Sequence, residues 1–323
     1  MACVDFTKGV VDSYMQKTYR LLGIMIIVLA GMALAACGGQ GNESNNADNQ
    51  NENGNLGEES LTLGVDSYVS NTSNTYLAKL LLEEIGYNVE INQTDVGVEY
   101  TGLNDGSTDA IVGAWLPTTH ESYWEEYKDN LEKINTVTEK VELGLAVPAY
   151  MEDINSIEDL AQNTNNVGEK LEWTITGISP GAGEMELMES DVMPGYGLKK
   201  NWDLLESSGA AMSAALSDAI EQNEPIVVTL WTPHWTFNAF DIKILDDPKG
   251  TFGEPDDVFS VAGKDFKEQS PAAYEFLEQF SITKENTQSM MLDIKNGMDE
   301  EDAAQKFIDN NPDLKEKWLD GIE

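Results

Sequence analysis

The sequence predicts an α/β protein with two lobes and a ligand cleft between them. Apolar residues alternate at 61–65, which is typical of a strand, and leucines recur at helical spacing at 73–85. A second series of strands and helices begins near residue 156. Such alternation favours a doubly wound sheet that binds its ligand beyond the carboxyl ends of the strands. Two series in one chain therefore predict two lobes.

The other elements follow from the same two periodicities. Val89 and Ile91 alternate in a predicted strand at 87–93, and a continuous apolar run predicts a buried strand at 109–114. The rest of the first series comprises predicted helices at 96–105 and 119–128 and predicted strands at 134–139 and 142–148. The second series comprises a short helix after residue 156, a strand at 173–178, helices at 183–190 and 209–222, strands at 225–230 and 241–246, a strand-like stretch near 257–262, and helices through 264–318.

These elements predict how the chain divides between the lobes. One lobe is expected to contain residues 61–146 plus 240–323, and the other residues 147–235. The chain would then cross between the lobes near 143–150 and again near 235–245.

The N-terminus carries the features of a secretion signal. An apolar run at 21–36 follows Lys17 and Arg20 and ends in Leu34-Ala-Ala-Cys37. This ending resembles the bacterial lipobox, so residues 1–36 are predicted to be a lipoprotein signal peptide and Cys37 the lipidated residue. An uncleaved membrane anchor is the alternative, but the run is short and no basic flank follows it. A start at Met15 would give a signal of ordinary length.

Residues 37–60 are rich in Asn, Gly and acidic residues and contain almost nothing apolar. This composition predicts a flexible tether. Signal, lipid and tether together predict a protein anchored to the cell membrane by lipid on its extracytoplasmic face.

Charge and composition exclude several functions. Asp and Glu number 58 against 19 Lys and Arg, a net charge of −39, which repels nucleic acid and suits a protein kept soluble in brine. Arg20 is the single arginine, so no guanidinium can hold a ligand carboxylate in the folded domain. Cys3 lies upstream of the cleavage point, which leaves the domain without a disulfide or a cysteine metal site. No cofactor or metal is expected, and the absence of catalytic motifs predicts that the chain is not an enzyme.

Aromatic residues occur where predicted strands end. Trp115 and Trp231 each lie two residues before a proline, which stops strand pairing and lets the indole face a cleft. Tyr68 follows the first strand, and the turn 181–183 opens a helix. These positions are candidates for a ligand site.

Five motifs, in unbroken order over residues 61–318, resemble a known family. They are Ala114-Trp-Leu-Pro-Thr-Thr-His-Glu-Ser-Tyr-Trp124, Leu143-Gly-Leu-Ala-Val-Pro-Ala-Tyr150, Ile178-Ser-Pro-Gly-Ala-Gly183, Pro225-Ile-Val-Val-Thr-Leu-Trp-Thr-Pro-His-Trp235 and Asp246-Asp-Pro-Lys-Gly250. The sequence is similar to the glycine betaine/proline betaine substrate-binding proteins of ABC transporters. This resemblance implies a two-lobed fold of the type II periplasmic-binding-protein class, a quaternary ammonium ligand, and an ABC permease with its ATPase as partners.

The resemblance also implies roles for individual residues. Tyr68, Trp115 and Trp231 match the aromatic cage around the ammonium group, although most relatives have Trp where Tyr68 stands. His120 and the backbone amides of Gly183 and Glu184 match the groups that bind the ligand carboxylate. Many relatives carry an aliphatic residue at position 184, so the Glu184 side chain is expected to point away from that carboxylate.

The cage suits the ligand on physical grounds. A trimethylammonium group donates no hydrogen bonds, but aromatic faces attract it by ~0.5–2 kcal/mol per ring once water is removed. Glycine betaine is the expected ligand. A choline- or carnitine-preferring receptor of the same fold remains open, as does a lipid-anchored sensor that does not transport.

Other residues near the cleft have simpler interpretations. Asp66 and Glu121 are expected on a solvated face, and His234 is expected to brace its loop. Core or lobe packing is predicted for Trp124, Trp173, Trp202, Trp235 and Trp318 and for Met185, Met188, Met290 and Met291.

Overall fold

The computed structural model describes residues 56–322. The predicted signal peptide, the predicted lipidation site Cys37 and most of the predicted tether lie outside these residues. The strands within the described part are β1 (Ser60–Val65), β2 (Asn88–Gln93), β3 (Ala110–Leu116), β4 (Leu131–Pro148), β5 (Thr174–Thr176), β6 (Asp203–Leu205), β7 (Val228–Thr232), β8 (Ile242–Ile244) and β9 (Asp256–Gly263).

The helices lie between the strands and after them. They are α1 (Val69–Ile85), α2 (Val96–Asp105), α3 (Glu121–Tyr127), α4 (Ile157–Ala161), α5 (Val167–Lys170), α6 (Gly183–Leu187), α7 (Met193–Tyr196), α8 (Gly209–Gln222), α9 (Thr236–Ala239), α10 (Phe266–Gln269), α11 (Pro271–Gln279), α12 (Lys284–Lys295), α13 (Glu300–Asn310) and α14 (Pro312–Trp318). A π-helical turn at Met188–Val192 joins α6 to α7.

The strands form two sheets that share β4. The order is β2-β1-β3-β9-β4 in the first sheet and β4-β7-β5-β6 in the second, with β8 also paired to β4. The strands β1, β2 and β3 are parallel, whereas β9 and β4 run antiparallel to their neighbours. The predicted α/β fold is confirmed, with a mixed sheet rather than a wholly parallel one.

The long strand β4 corrects one prediction. The sequence predicted separate strands at 134–139 and 142–148, but both belong to β4. Lys140 has a φ of 54°, and the register with β9 shifts at three points along β4. These irregularities interrupt the alternation of buried and exposed residues, which is why the sequence pattern suggested a break.

The two sheets divide the chain within β4. Residues 131–141 of β4 pair with β9, and residues 142–148 pair with β7 and β8. The chain returns to the first sheet between β8 and β9. This division concerns the sheets, and the predicted lobe boundaries at 146–147 and 235–240 remain predictions.

Buried apolar clusters hold the helices against the sheets. In the largest cluster, α1 packs with α12 and α13, and Trp318 of α14 contacts Phe280 at a ring-centroid distance of 5.2 Å. The four methionines predicted to pack in the core are buried. Of the tryptophans predicted to pack, Trp202, Trp235 and Trp318 are buried, and the half-buried Trp173 contacts Trp202 at 5.5 Å.

The packed domain includes part of the segment assigned to the tether. Leu56 is buried, and its carbonyl oxygen accepts a hydrogen bond of 2.7 Å from the Tyr87 hydroxyl. Gly57 has a φ of +73°, and a Cβ there would lie 1.9 Å from the Gln269 carbonyl oxygen. The tether prediction therefore extends too far at its C-terminal end. Within residues 56–322, the longest and most apolar helices fall short of what a membrane crossing requires.

Candidate functional site

A pocket lies where the carboxyl ends of strands from both sheets meet. It encloses about 360 Å³, counted out to its mouth. All six predicted ligand-binding residues line it. The complete lining is Asp66, Tyr68, Ser70, Asn71, Val96, Trp115, Thr119, His120, Leu143, Ile178, Ala182, Gly183, Glu184 and Trp231.

The aromatic rings come from three different strand ends. Tyr68 follows β1, whereas Trp115 and Trp231 lie near the ends of β3 and β7, and both tryptophans are 5% exposed. The rings of Tyr68 and Trp231 meet edge to face, with centroids 5.2 Å apart and an interplanar angle of 79°. Such rings present their π faces and edges to a shared space without stacking on each other.

A hydrogen-bonded chain positions two of these rings. The Asp66 carboxylate accepts from the Tyr68 backbone N–H at 2.8 Å and from the Asn71 side-chain amide at 2.6 Å. The Asn71 carbonyl in turn accepts from the Trp115 indole N–H at 3.2 Å. Asp66 therefore anchors the backbone of Tyr68 directly and the indole of Trp115 through Asn71.

Asp66 differs from its predicted environment. It was expected on a solvated face, but it is 3% exposed. Burial raises its pKa to about 7, against the lowering effect of its bonds to Tyr68 and Asn71. Glu99 of α2 is equally buried behind it, and burial with the charge of Asp66 raises the Glu99 pKa. The sequence signal that could have identified Asp66 is its place directly after the buried end of β1. Glu121 is exposed, as predicted.

His120 is held as a neutral imidazole. Its Nδ1 accepts a hydrogen bond of 3.2 Å from the Trp115 backbone N–H, which leaves the proton on Nε2. Burial lowers the His120 pKa to about 3. The ring packs against Tyr100 at a centroid distance of 5.8 Å. His120 can therefore donate one hydrogen bond from Nε2 without carrying charge.

The turn that carries His120 is fixed from β9. The Asp256 carboxylate accepts from the backbone N–H groups of Thr118 and Thr119 at 2.7 and 2.8 Å, and also from the Thr119 hydroxyl. Two peptide bonds near the pocket are cis. They are Leu116–Pro117, just before this turn, and Thr232–Pro233, at the end of β7.

Gly183 brings the start of α6 against this turn. A Cβ at Gly183 would lie 1.7 Å from the Thr119 carbonyl oxygen, so a larger residue does not fit. Two further hydrogen bonds link α3 to the α6 region: Tyr123 hydroxyl to Gly181 carbonyl at 3.0 Å, and Ser122 hydroxyl to Glu186 carboxylate at 2.9 Å. Elements following strands of different sheets are thus in contact across the pocket.

Glu184 presents unsatisfied polar groups to this region. Its side chain is 2% exposed, and neither carboxyl oxygen has a hydrogen-bond partner among the described residues. Burial raises its pKa to about 8, against the lowering effect of the Leu230 and Gly144 backbone groups, which lie near the carboxyl but outside normal hydrogen-bond geometry. The backbone N–H groups of Gly183 and Glu184 also have no acceptor within residues 56–322. The raised pKa favours the uncharged acid at neutral pH, and the expectation that this side chain points away from a ligand carboxylate stays a prediction.

His234 lies outside the pocket and braces its loop, as predicted. Its Nδ1 is 2.7 Å from the Thr236 hydroxyl and 3.3 Å from the Thr236 backbone nitrogen. Within residues 56–322, His, Cys, Asp and Glu side chains form no cluster suited to a metal ion.

Two sheets joined by one long strand, with an aromatic pocket at their carboxyl ends, define a solute-binding protein of the type II periplasmic class. Residues 59–310 match the family described as the substrate binding domain of ABC-type glycine betaine transport systems, and the chain belongs to this family. Such domains bind a substrate for transport, which confirms the prediction that the chain is not an enzyme.

Relatives and solved structures agree with this assignment. The glycine betaine/carnitine transport binding protein GbuC of Listeria monocytogenes is 44% identical over 49% of this chain, and the match spans about half, 53%, of that relative. Lactococcal OpuAC, solved in a closed conformation with glycine betaine, is 36% identical with a TM-score of 0.75, covering 81% of this chain and 99% of that one. A choline binding protein of an ABC transporter, solved with choline, is 25% identical with a TM-score of 0.75, covering 81% of this chain and 92% of that one.

Proposed function

We propose that this protein is the extracytoplasmic receptor of an ABC importer and captures a quaternary ammonium compatible solute, with glycine betaine as the preferred ligand. The observation that supports this most directly is one pocket that combines three aromatic rings with neutral hydrogen-bond donors and contains no Lys or Arg. A zwitterion with a bulky cationic head and a small carboxylate matches both halves of that description.

The cation end of the proposed ligand would lie among Tyr68, Trp115 and Trp231. Each desolvated ring contributes ~0.5–2 kcal/mol to binding a quaternary ammonium. Three rings therefore supply several kcal/mol, which suffices for micromolar affinity after the cost of association is subtracted. Asp66, when ionised, adds an attractive negative charge beside the cage.

The carboxylate end would be bound by the Nε2–H of His120 and by the N–H groups of Gly183 and Glu184. These three donors replace the arginine that the folded domain lacks. Hydrogen bonds from neutral donors to a charged acceptor are stronger than ordinary ones.

The ligand would stabilise a closed arrangement of two lobes. The proposed lobes are residues 61–146 plus 240–323 and residues 147–235, so Tyr68, Trp115 and His120 belong to one and Gly183 and Trp231 to the other. A ligand that contacts both favours the closed form, which the permease would recognise. For residues 1–36 and Cys37 we propose a cleaved signal peptide and lipid anchoring to the cell membrane.

Calorimetric titration of the purified protein with glycine betaine and then choline tests the proposal. Tight binding of betaine with weak binding of choline is the expected result. A preference for choline would keep the aromatic cage but remove the carboxylate role of His120. Binding of neither ligand at low or high salt would contradict a quaternary ammonium receptor and favour a sensor of another ligand.

The second candidate is a receptor that prefers choline or carnitine. Tyr68, in a position where the family resemblance expects Trp, and the buried Asp66 beside it favour this candidate, because both change the pocket around the cation. Competition of carnitine and choline against bound betaine ranks the three ligands directly. Measuring cellular uptake of the tightest-binding ligand in the presence of the partner permease then distinguishes a transport receptor from a sensor.

A further inference from the structure

The Glu184 carboxyl is a buried polar group that the proposed binding scheme does not use. Glu184 lines the pocket and is 2% exposed. Neither of its carboxyl oxygens has a well-formed hydrogen bond among the described residues, although the backbone of Leu230 and Gly144 lies close enough to lower its pKa. An unpartnered buried carboxyl is costly to the fold, so its presence needs an explanation.

Covalent geometry keeps this carboxyl close to the carboxylate subsite. The side-chain carboxyl carbon of a glutamate lies at most about 5 Å from its own backbone nitrogen. A ligand carboxylate hydrogen-bonded to the Glu184 N–H must therefore lie within roughly 8 Å of the Glu184 carboxyl in any rotamer. The Tyr68 hydroxyl has a raised pKa, chiefly because of burial, with smaller contributions from the charges of Asp66 and Glu184.

We propose that Glu184 determines ligand specificity according to its protonation state. As a neutral acid it accepts a carboxylate-bearing ligand beside it, and as a carboxylate it repels that ligand but retains a cation-only ligand. This inference rests on the proposed function and names the ligand class that the site selects at each pH.

The direction of the pH effect follows from the burial of this group. Its pKa is raised to about 8, so the acid is neutral in the free protein below that pH. A ligand carboxylate bound nearby raises the pKa of Glu184 further. Above about pH 8, where free Glu184 is ionised, the binding of betaine is therefore accompanied by proton uptake. Affinity for betaine falls in the same range. Choline carries no carboxylate, and its affinity stays level or increases.

Other titratable groups lie in or near the pocket and need a control. Asp66, Tyr68 and His120 line it, Tyr123 and Glu186 lie where α3 meets the α6 region, and Glu99 is coupled to Asp66 by charge. Asp66, whose pKa is about 7, acts on the cationic head that both ligands share. Its titration therefore changes both affinities alike and cancels in the ratio of the two dissociation constants. His120, with a pKa of about 3, does not titrate here.

The test is the ratio of the betaine to the choline dissociation constant, measured by calorimetry from about pH 6 to about pH 9.5. In the wild-type protein the ratio should rise roughly fivefold to tenfold between about pH 7 and about pH 9. Glu184→Gln, which imitates the neutral acid, should remove this rise. The exposed Glu189→Gln on the same helical segment is the matched control and should behave as wild type.

Proton uptake gives an independent measurement. Titration of betaine in buffers of different ionisation enthalpy at about pH 8.5 should show uptake of a large fraction of one proton in the wild type and none in Glu184→Gln. A ratio that is flat in the wild type, or that rises equally in Glu184→Gln, overturns the inference while the receptor function stands. If neither ligand binds at any pH, the proposed function fails instead. If Glu184→Gln does not fold, Glu184→Val takes its place, and the wild-type ratio still decides.

Discussion

The two walls of the pocket differ in how many of their polar groups are already satisfied. On the wall from the first sheet, Asp66, Asn71, Trp115 and His120 are hydrogen-bonded to one another or to nearby backbone, although the Ser70 hydroxyl has no partner among the described residues. On the wall from the second sheet, the N–H groups of Gly183 and Glu184 and the Glu184 carboxyl have no partners among the described residues. The first wall is therefore largely preorganised, whereas these groups of the second wall are not engaged. Preorganisation lowers the cost of binding, whereas unsatisfied groups add to the gain when a ligand arrives.

The cost of the unsatisfied wall should be largest in alkaline solution. Burial raises the Glu184 pKa from 4.5 to about 8, so the folded state holds a proton that the unfolded state releases. The free energy of unfolding therefore falls as the pH rises from about 4.5 to about 8, at about 1.4 kcal/mol per pH unit, or several kcal/mol in total. Glu184→Gln should be more stable than wild type at about pH 9 and similar at about pH 5 in denaturant titrations. Equal losses in wild type, Glu184→Gln and Glu189→Gln would assign the effect to groups other than Glu184, namely the buried Asp66 and Glu99 or overall charge repulsion.

The close contact between the two walls depends on Gly183, which has no side chain. Gly183→Ala places a methyl group 1.7 Å from the Thr119 carbonyl oxygen, which forces α6 away from the turn after β3. Overpacking of this kind costs about 3 kcal/mol, and we expect a comparable loss of ligand affinity. Gly181→Ala is the matched control, because no atom lies within 4 Å of its added Cβ. Equal affinities of the two variants in calorimetry would show that the close approach does not matter for binding.

The cage should contribute from both walls. Trp115→Ala and Trp231→Ala should each lose ~1–3 kcal/mol of affinity for betaine and for choline, because both ligands share the cationic head. Trp173→Ala serves as the control, since this half-buried residue packs on Trp202 outside the pocket. Isothermal titration measures all three. A loss confined to betaine would place the ammonium group elsewhere.

His120 should distinguish the ligands, unlike the cage. His120→Gln should weaken betaine by ~1–2 kcal/mol and leave choline nearly unchanged, because only betaine offers a carboxylate to the Nε2–H. The comparison is made at about pH 6.5, where Glu184 is protonated. Equal losses for both ligands would contradict the carboxylate role.

The smallest expected effect concerns preorganisation of the first wall. Asn71→Ala breaks the chain between Asp66 and the Trp115 indole and should cost about 1 kcal/mol of affinity for either ligand. The mobility of the Trp115 indole is measured by its fluorescence anisotropy in variants that lack the other tryptophans. Unchanged affinity would show that packing alone orients Trp115.

Sequence periodicity located most helices and strands, and α8 matches its predicted bounds of 209–222. Sequence periodicity failed where the structure depends on residues that are far apart in the chain. The strand β4 reads as two segments because its irregular pairing with β9 breaks the local pattern. The sequence assigns Leu56 to the tether because its buried position depends on Tyr87, which lies 31 residues further along the chain.

Six residues of the pocket were predicted from the sequence: Tyr68, Trp115 and Trp231 as aromatic residues at strand ends, and His120, Gly183 and Glu184 from motifs that resemble the family. Their environments were not. Asp66 looks like one of many acidic residues until the fold buries it beside Asn71. The Asp256 carboxylate that fixes the His120 turn lies 137 residues from Thr119 and has no local signature.

The sequence by itself determined the class of protein and the order of its elements, and it predicted the rings and donors that line the pocket, because these depend on residue types and local motifs. Tertiary structure decided which polar groups are satisfied, the neutral state of His120, the raised pKa of Glu184 and the contact of Gly183 with Thr119. Each of these depends on burial and on contacts between segments far apart in the chain, which local patterns do not encode.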